Sequence, residues 1–252
     1  MLRSVKELYN YVLAAKDGDI GRCKDFLFDD QLWTIRYMEA DTGKWLPGRK
    51  VLISPISLGE PDWGGRLFPV RLTQKQIEDA PDLDQDAPVS RQHEIRWTRH
   101  FGWPYYWSGY GIWGTADVPS ALYVQKEIEE AEQEAEKEAD ETNDTHLRSA
   151  KEVMGYRIRT TDDEIGHVED FIIDERPWTI RYMVVDTRNW LPGRKVLVAP
   201  DWIDSVDWLE KQVSVDLTKE QVKNSPEYDP AAPVNREYEM QLYDFYGRPK
   251  YW

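Results

Sequence analysis

The sequence predicts a protein dominated by β-strands, made of two copies of a small β-barrel joined by an acidic helix. Three observations lead to this fold class. The chain is an internal duplication, each copy alternates short β-rich runs with turn residues, and the segment between the copies is rich in acidic helix formers. The 252 residues, of which 40% are apolar, suffice for two small domains with their own cores.

The duplication extends over nearly the whole chain. A shift of 145 positions aligns residues 2–107 with residues 147–252 without a gap, and about 46 of the 106 aligned pairs are identical. The octapeptide WLPGRKVL, for example, begins at Trp45 and again at Trp190. This period is too long for a solenoid. The predicted domains are therefore residues 1–107 and 147–252, with residues 108–146 as the linker.

Each copy contains five or six short strand signals. CKDFLFDD and HVEDFIIDE end in acidic turn residues, KVLISP and KVLVAP are β-branched runs closed by proline, and QVSVDLT alternates strictly. Thr73 and Thr218 follow as helix N-caps, and Pro81 and Pro226 end the helical turn. Short strands with one helical turn favour a small β-barrel in each copy.

The linker predicts a helix from about residue 119 to residue 141. This stretch consists mainly of Ala, Glu, Gln and Lys, which are strong helix formers. Residues 108–146 carry a net charge of −9, out of −15 for the chain. Beyond Ile128 the helix is polar on every side, which is typical of a solvated spacer. A specific acidic docking site is the alternative interpretation.

Composition excludes several classes of function. Neither copy has the excess of Lys and Arg that phosphate contacts require, so nucleic acid is not an expected partner. The one cysteine, Cys23, allows no internal disulfide and fits a reducing compartment. The sequence contains neither a signal peptide nor a run of roughly 20 apolar residues. We expect a cytoplasmic protein.

The chain offers few residues for catalysis or for metal binding. His93 and His100 are close in sequence, but Tyr238 and Phe245 replace them in the second copy, and no second ligand pair has metal spacing. Cys23 aligns with Val168, which indicates a buried apolar residue rather than a nucleophile. Phosphate-binding loops and hydrolase motifs are absent from the sequence. We expect neither a cofactor nor an enzymatic activity.

The repeated WLPGRKVL is interpreted first as a turn. Proline presets φ at the second position of Leu-Pro-Gly-Arg and glycine supplies a positive φ at the third, so the turn joins two adjacent strands. Asp41 and Asp186 are predicted to accept hydrogen bonds from the turn arginines. The alternative is a partner-binding site, because Trp and Arg are typical interface residues. Its candidate residues are Trp45, Arg49, Lys50, Trp190, Arg194 and Lys195.

The aromatic tails FGWPYYW and YGRPKYW end the two copies. Exposed rings in such a run could stack on sugars. Because Tyr106 and Trp107 recur as Tyr251 and Trp252, we interpret the tails as packing elements that cover the barrels.

The ordered set of motifs resembles the PRC-barrel domain. Asp-Ile-Gly or Glu-Ile-Gly, then D-F-x-x-D, then a strand ending in Asp-Thr and WLPGRKVL cover Asp19–Thr73 and Glu164–Thr218. This family includes the cytoplasmic barrel of the photosynthetic reaction-centre H subunit, the C-terminal domain of a ribosome maturation factor and stand-alone bacterial proteins. The resemblance implies a small, SH3-like antiparallel barrel in each copy, used for binding and assembly, without common catalytic residues.

The expected function is that of a non-catalytic protein-binding or scaffold protein. Its two copies would pack on each other or present two similar surfaces, which would reinforce two weak sites through effective concentration. Three alternatives stay open. They are an H-subunit-like accessory of a photosynthetic or electron-transfer membrane complex, a ribosome or RNA-processing factor, and an enzyme of unknown substrate. The sequence leaves the partner and the oligomeric state open.

Overall fold

The computed structural model of the protein describes residues 1–84, 87–122, 146–187 and 194–252. Short strands predominate over short helices there, as the sequence predicts. The strands are β1 (Leu2–Ser4), β2 (Val12–Ala15), β3 (Gly18–Asp29), β4 (Thr34–Asp41), β5 (Val51–Ile53), β6 (Leu67–Pro69), β7 (Leu147–Ser149), β8 (Arg157–Arg159), β9 (Glu164–Asp174), β10 (Thr179–Asp186), β11 (Lys195–Val198), β12 (Ile203–Asp207) and β13 (Gln212–Val215). The helices are Val5–Leu8, Gln74–Glu78, Arg91–Phe101, Pro119–Leu122, Ala150–Val153, Lys219–Asn224 and Arg236–Tyr246, and 3-10 turns lie at Pro55–Ser57 and Pro200–Trp202.

The chain divides into two compact units. The N-terminal unit contains Leu8–Ser149 and Arg176–Thr179, and the C-terminal unit contains Met1–Glu7, Ala150–Glu175 and Ile180–Trp252. The units follow the two copies with two exceptions. A short segment at the start of each copy belongs with the other unit, and Arg176–Thr179 of the second copy belongs with the N-terminal unit. The predicted domain bounds thus remain a description of the sequence repeat. Two separate barrels, each built from one copy, are not what the described residues show.

The first strands of the two copies are exchanged between the units. In the C-terminal unit β1 pairs antiparallel with β9, and Leu2 lies opposite Asp174. In the N-terminal unit β7 pairs antiparallel with β3, and Leu147 lies opposite Asp29. Because Leu2 aligns with Leu147 and Asp29 with Asp174, the exchange is reciprocal. Each incoming strand supplies backbone hydrogen-bond partners to a strand of the other copy.

Matching side-chain bonds fix the exchanged strands. The Ser4 hydroxyl donates to the Asp170 carboxylate at 2.5 Å, and the Ser149 hydroxyl donates to the Asp25 carboxylate at 2.5 Å. Both aspartates are buried, so these bonds satisfy polar groups that would otherwise be costly to bury. The residues that hold an incoming strand are therefore the same in both units.

The strands pair in a mixed sheet. In the N-terminal unit β3 pairs antiparallel with β2 and β4, and β4 pairs antiparallel with β5. However, β2 pairs parallel with β6, and in the C-terminal unit β8 pairs parallel with β13. The prediction of wholly antiparallel barrels is wrong at these two pairs. Parallel neighbours need a crossover connection, and that path depends on the whole chain rather than on local residues.

Both copies retain an Ile-Gly pair, and the glycine lies where a side chain would collide with a neighbouring strand. Gly21 on β3 has φ +146°, and a Cβ atom there would lie 2.0 Å from the Asp41 carbonyl oxygen. Gly166 on β9 has φ +138°, and its Cβ would lie 1.9 Å from the Asp186 carbonyl oxygen. Only glycine permits this close approach of one backbone to another.

The predicted N-caps of the short helices are confirmed. The Thr73 hydroxyl accepts from the Gln76 amide, while the Gln76 side chain accepts from the Thr73 amide. Thr218 and Gln221 form the same capping box. Two donors at each helix start are thereby satisfied by side chains of the chain itself.

Two longer helices were not predicted. Helix Arg91–Phe101 begins where the Ser90 side chain accepts from the His93 amide, and it ends at Gly102 with φ +66°. Helix Arg236–Tyr246 is capped in the same way by Asn235 and Gly247. A polar N-cap with a glycine eleven residues beyond the first helical position is the signal that indicates these helices in the sequence.

Three further expectations concern the linker, the membrane and Cys23. The predicted acidic helix lies outside the described residues except for Pro119–Leu122, which is helical. Among the helices of the described ranges, not one combines the length and the apolar character needed to span a membrane. Cys23 is buried, in agreement with its interpretation as an apolar core residue.

Candidate binding surface

The Leu-Pro-Gly-Arg turn of the first copy has the predicted geometry. It connects β4 to the antiparallel neighbour β5, and Gly48 has φ +76°. Trp45 is half-buried and Leu46 is buried. The equivalent turn of the second copy, with Trp190, lies outside the described residues. The first turn also borders a cleft of about 180 Å³ whose walls include the ion pair of Lys24 with Glu39.

The turn arginines bind the ends of the short helices. Arg49 donates to the carbonyl oxygens of Glu78 and Ala80, each at 2.9 Å, and pairs with Asp82 at 2.7 Å. Arg194 donates in the same way to the carbonyl oxygens of Lys223 and Ser225. These carbonyls have no partner within their own helix, so the guanidinium groups cap them. The predicted pairing with Asp41 and Asp186 is therefore wrong, because the helix ends take these donors.

The neighbouring lysines also have acceptors within the chain. The Lys50 ammonium donates to the Ala87 carbonyl oxygen at 2.7 Å, and the Lys195 ammonium lies 2.7 Å from a Glu169 oxygen. All four described basic candidates, Arg49, Lys50, Arg194 and Lys195, are thus engaged in holding the fold. This arrangement favours the turn over the partner-binding site.

Replacing Arg49 and Arg194 with Ala is expected to destabilise the protein without changing its interactions with partners. Each arginine makes two charge-assisted hydrogen bonds from a partly exposed position, so each replacement should cost about 1–2 kcal/mol. Chemical denaturation of both single variants measures this cost. Lys44→Ala, an exposed change on the same turn, is the control with no expected effect. A folded double variant with a large loss of partner affinity would contradict the structural role.

A buried polar cluster lies beside helix Arg91–Phe101. The Glu94 carboxylate is fully buried; it accepts a hydrogen bond from the Tyr106 hydroxyl at 2.7 Å and one from Arg91 at 3.0 Å. Tyr37 also hydrogen-bonds to Glu94. The Arg36 guanidinium lies 4.1 Å from the centre of the Tyr106 ring. We name this group the Glu94 cluster; it comprises Asp29, Arg36, Tyr37, Arg91, Glu94, Tyr106 and Trp107.

Burial governs the electrostatics of the Glu94 cluster. It raises the pKa of Glu94, and the Arg91 guanidinium with the hydrogen bonds from Tyr106 and Tyr37 opposes that rise. Burial also raises the pKa of Tyr106 well above its ordinary value, so its hydroxyl stays a donor. Arg36 is neutralised by Asp29, with a nitrogen–oxygen distance of 2.5 Å. The charges of the cluster therefore compensate one another.

A segment of the predicted linker covers the Glu94 cluster. Arg36 donates to the Ile112 carbonyl oxygen at 2.7 Å, and its guanidinium lies 4.7 Å from the Trp113 ring centre. Trp113 is fully buried and donates to the Pro177 carbonyl oxygen at 2.7 Å. His146 closes another side, with Nε2 2.9 Å from the Tyr106 hydroxyl. The space left beside the cluster is a cavity of about 130 Å³.

The second copy contains the same cluster. The Glu239 carboxylate accepts from the Tyr182 hydroxyl at 2.8 Å and from the Tyr251 hydroxyl at 2.7 Å, and it pairs with Arg236 at 3.2 Å. The Arg181 guanidinium lies 4.0 Å from the Tyr251 ring centre. We name this group the Glu239 cluster; it comprises Asp174, Arg181, Tyr182, Arg236, Glu239, Tyr251 and Trp252.

The two clusters differ in exposure. The side chain of Arg36 is 1% exposed and that of its counterpart Arg181 is 20% exposed. Arg236 is 52% exposed, and it lies 4.1 Å from the ring centre of Trp252, which is 44% exposed. The tail of the first copy is packed, as predicted, because Tyr106 is buried; the tail of the second copy is only partly covered. The Glu239 cluster thus presents aromatic and cationic groups at the surface.

Sequence reasoning missed both clusters, although a signal for them was present. All seven residue types recur at the same positions in the two copies, while many of their neighbours differ. A buried glutamate on an amphipathic helix looks like a solvated residue when the helix itself is not predicted. Its partners come from β4, from the helix and from the tail, so only the fold shows that they meet.

The two histidines of the first copy lie in different surroundings. His93 is buried against Trp97, with ring centres 5.6 Å apart, and burial lowers the pKa of His93 to about 4. His100 is exposed, and its Nε2 lies 2.9 Å from the Gln76 carbonyl oxygen. Within the ranges that the structure describes, three or more His, Cys, Asp or Glu side chains nowhere converge on a point that could hold a metal ion.

Comparison with known proteins finds a family model that matches one part of the chain. No curated protein matches the sequence. The matched segment contains strands β7 to β13. Residues 146–222, which are most of the second copy, match the PRC-barrel domain.

Proposed function

We propose that this protein is a non-catalytic binding or scaffold protein and that the Glu239 cluster is its docking surface. One observation carries the proposal: a chain segment covers the Glu94 cluster in the N-terminal unit, whereas Arg236 and Trp252 of the equivalent cluster in the C-terminal unit are 52% and 44% exposed. Arg and Trp side chains that combine exposure with fixed geometry are typical anchors of protein interfaces. The match of residues 146–222 to the PRC-barrel domain is consistent with such a role.

We further propose that residues 1–107 are a second sequence copy of the same family, whose first strand lies in the unit of the other copy. The two copies are identical at about 46 of 106 aligned positions. They also share the Gly21 and Gly166 close approach, the Thr73 and Thr218 capping boxes, and the two buried clusters. A duplicated PRC-barrel protein would then present one covered and one open version of the same surface.

The cavities favour binding over catalysis. The cleft beside the first turn measures about 180 Å³ and the cavity beside the Glu94 cluster about 130 Å³, whereas pockets for small molecules usually span about 300–1,000 Å³. Of the three carboxylates that line them, Glu39 and Asp29 are held in ion pairs with Lys24 and Arg36, and Asp41 accepts from the Gly43 amide. These groups compensate one another and are not poised as acid or base.

Site-specific photocrosslinking tests the docking surface. A photoreactive amino acid placed at Trp252 of the full chain, in cells of the native host, should give a discrete crosslinked product with a partner protein. The matched control is the same probe at Leu209, which is 90% exposed in the same unit. Arg181→Ala should remove the product, and Arg159→Ala, another exposed arginine, should not. Equal products at both positions, or none, would overturn the proposal.

A further inference from the structure

The cover of the Glu94 cluster shows what kind of segment fits such a surface. Residues 109–114 have the sequence GYGIWG, and the Gly111 amide donates to the Gly114 carbonyl oxygen at 2.7 Å to form a tight turn. A Cβ atom on Gly114 would lie 2.8 Å from the Tyr105 carbonyl oxygen, so glycine is required there. The turn directs the Ile112 carbonyl at Arg36 and places the Trp113 ring beside that guanidinium.

The contribution of each residue in this segment is uneven. Trp113 is fully buried and lies 6.1 Å from the Tyr106 ring centre in an edge-on arrangement. Tyr110 is fully exposed and contributes nothing to the buried contact. Recognition therefore depends on one tryptophan, one backbone carbonyl and the glycines that bring them close.

The Glu239 cluster has the same arginine and tyrosine as the Glu94 cluster, and no equivalent segment covers them among the residues that the structure describes. Arg181 lies over Tyr251 at 4.0 Å, as Arg36 lies over Tyr106 at 4.1 Å. Its ion pair with Asp174 is loose, at 3.8 Å, and its Nε is buried without a hydrogen-bond partner among the described residues. A buried donor of this kind is costly when unpaired. In the Glu94 cluster the Arg36 Nε donates to Asp29, while its Nη1 donates to the Ile112 carbonyl oxygen. A carbonyl oxygen supplied from outside would accept from the Nη1 of Arg181 in the same way.

We infer that the Glu239 cluster binds a glycine-flanked tryptophan segment of a partner protein, in the way that the Glu94 cluster holds residues 109–114. The inference rests on the proposed docking function and specifies its ligand. The partner's carbonyl would accept from Arg181, and its indole would pack beside the stacked pair of Arg181 and Tyr251, as Trp113 packs beside Arg36 and Tyr106. A second copy of this chain is a poor donor of the segment, because its own Trp113 is already buried.

A synthetic peptide tests the inference on the full chain. The labelled decapeptide SGYGIWGTAD, residues 108–117, should bind saturably in fluorescence anisotropy. Replacing the peptide tryptophan with Ala should weaken binding at least tenfold, which corresponds to about 1.4 kcal/mol. Replacing the peptide tyrosine with Ala should leave binding unchanged, since Tyr110 is exposed in the intact chain. These peptide variants do not depend on how any protein variant folds.

Protein variants locate the peptide. Arg181→Ala should weaken binding at least tenfold and Arg159→Ala should leave it unchanged, with circular dichroism confirming that both are folded. No saturable binding, or binding that survives Arg181→Ala, would overturn the inference. If photocrosslinking at Trp252 still yields a partner in that case, the docking function stands and only the proposed ligand is wrong. A crosslink to a second copy of the chain would likewise overturn the assignment to a different protein.

Discussion

Glu94→Ala is expected to lower the free energy of unfolding by about 3–5 kcal/mol, because it leaves buried charged and polar partners without an acceptor. Arg91, Tyr37 and Tyr106 all direct donors at this carboxylate, and the carboxylate itself is fully buried. Their side chains are packed in place, so they cannot turn to water. Urea denaturation followed by tryptophan fluorescence measures the loss.

The matched variant is Glu239→Ala in the C-terminal unit. Glu239 has the equivalent partners, but Arg236 is 52% exposed and can regain water when the carboxylate is removed. The expected loss is therefore smaller, about 1–3 kcal/mol. Equal losses in the two variants would show that the cover over the Glu94 cluster does not strengthen its interactions. A negligible loss for Glu94→Ala would contradict the buried network itself.

A disulfide between residues 2 and 174 is expected to form in the variant Leu2→Cys, Asp174→Cys, since β1 pairs with β9. Without strand exchange, Leu2 would instead pair within its own copy, where Asp29 is the equivalent of Asp174. The control variant Leu2→Cys, Asp29→Cys should therefore remain reduced. Both variants carry Cys23→Val, the residue of the second copy, so that no third thiol interferes.

Mass spectrometry of the oxidised, digested protein identifies the linked peptides, and a non-reducing gel separates intrachain from interchain bonds. The efficient formation of the control disulfide would refute the exchange. Because each unit takes its first strand from the other copy, fragments that each contain one copy would not contain complete units.

Elements that depend on local chemistry could be predicted from the sequence. Pro47 and Gly48 predict a turn because proline restricts φ and glycine permits its positive value, and Thr73 predicts a helix start because its hydroxyl can cap an amide. Helix Arg91–Phe101 has comparable local signals, a polar N-cap at Ser90 and a glycine at Gly102. These two residues were not recognised in the sequence as the ends of a helix.

The candidate site could not be predicted, because its residues are distant in the sequence. Arg36 lies on β4, Glu94 on a helix and Tyr106 in the tail, and their contacts exist only after the strands and the helix have packed. The recurrence of these residues in both copies indicated importance but not their common location. The turn arginines show that a nearby residue of suitable charge is not always the partner. Arg49 was expected to bind the nearby Asp41, but it caps the end of a helix about thirty residues further along the chain.

The sequence by itself determined the duplication, the β-rich class, the turns and the caps, because each follows from residues close together in the chain. Tertiary structure alone decided which unit receives each first strand, since LRS is identical in both copies and cannot specify its partner. It also decided that the Glu94 cluster is covered and the Glu239 cluster open. The two clusters consist of the same residue types, but residues 108–122 pack on the Glu94 cluster. The exposure of a side chain therefore depends on what packs around it and not on its residue type alone.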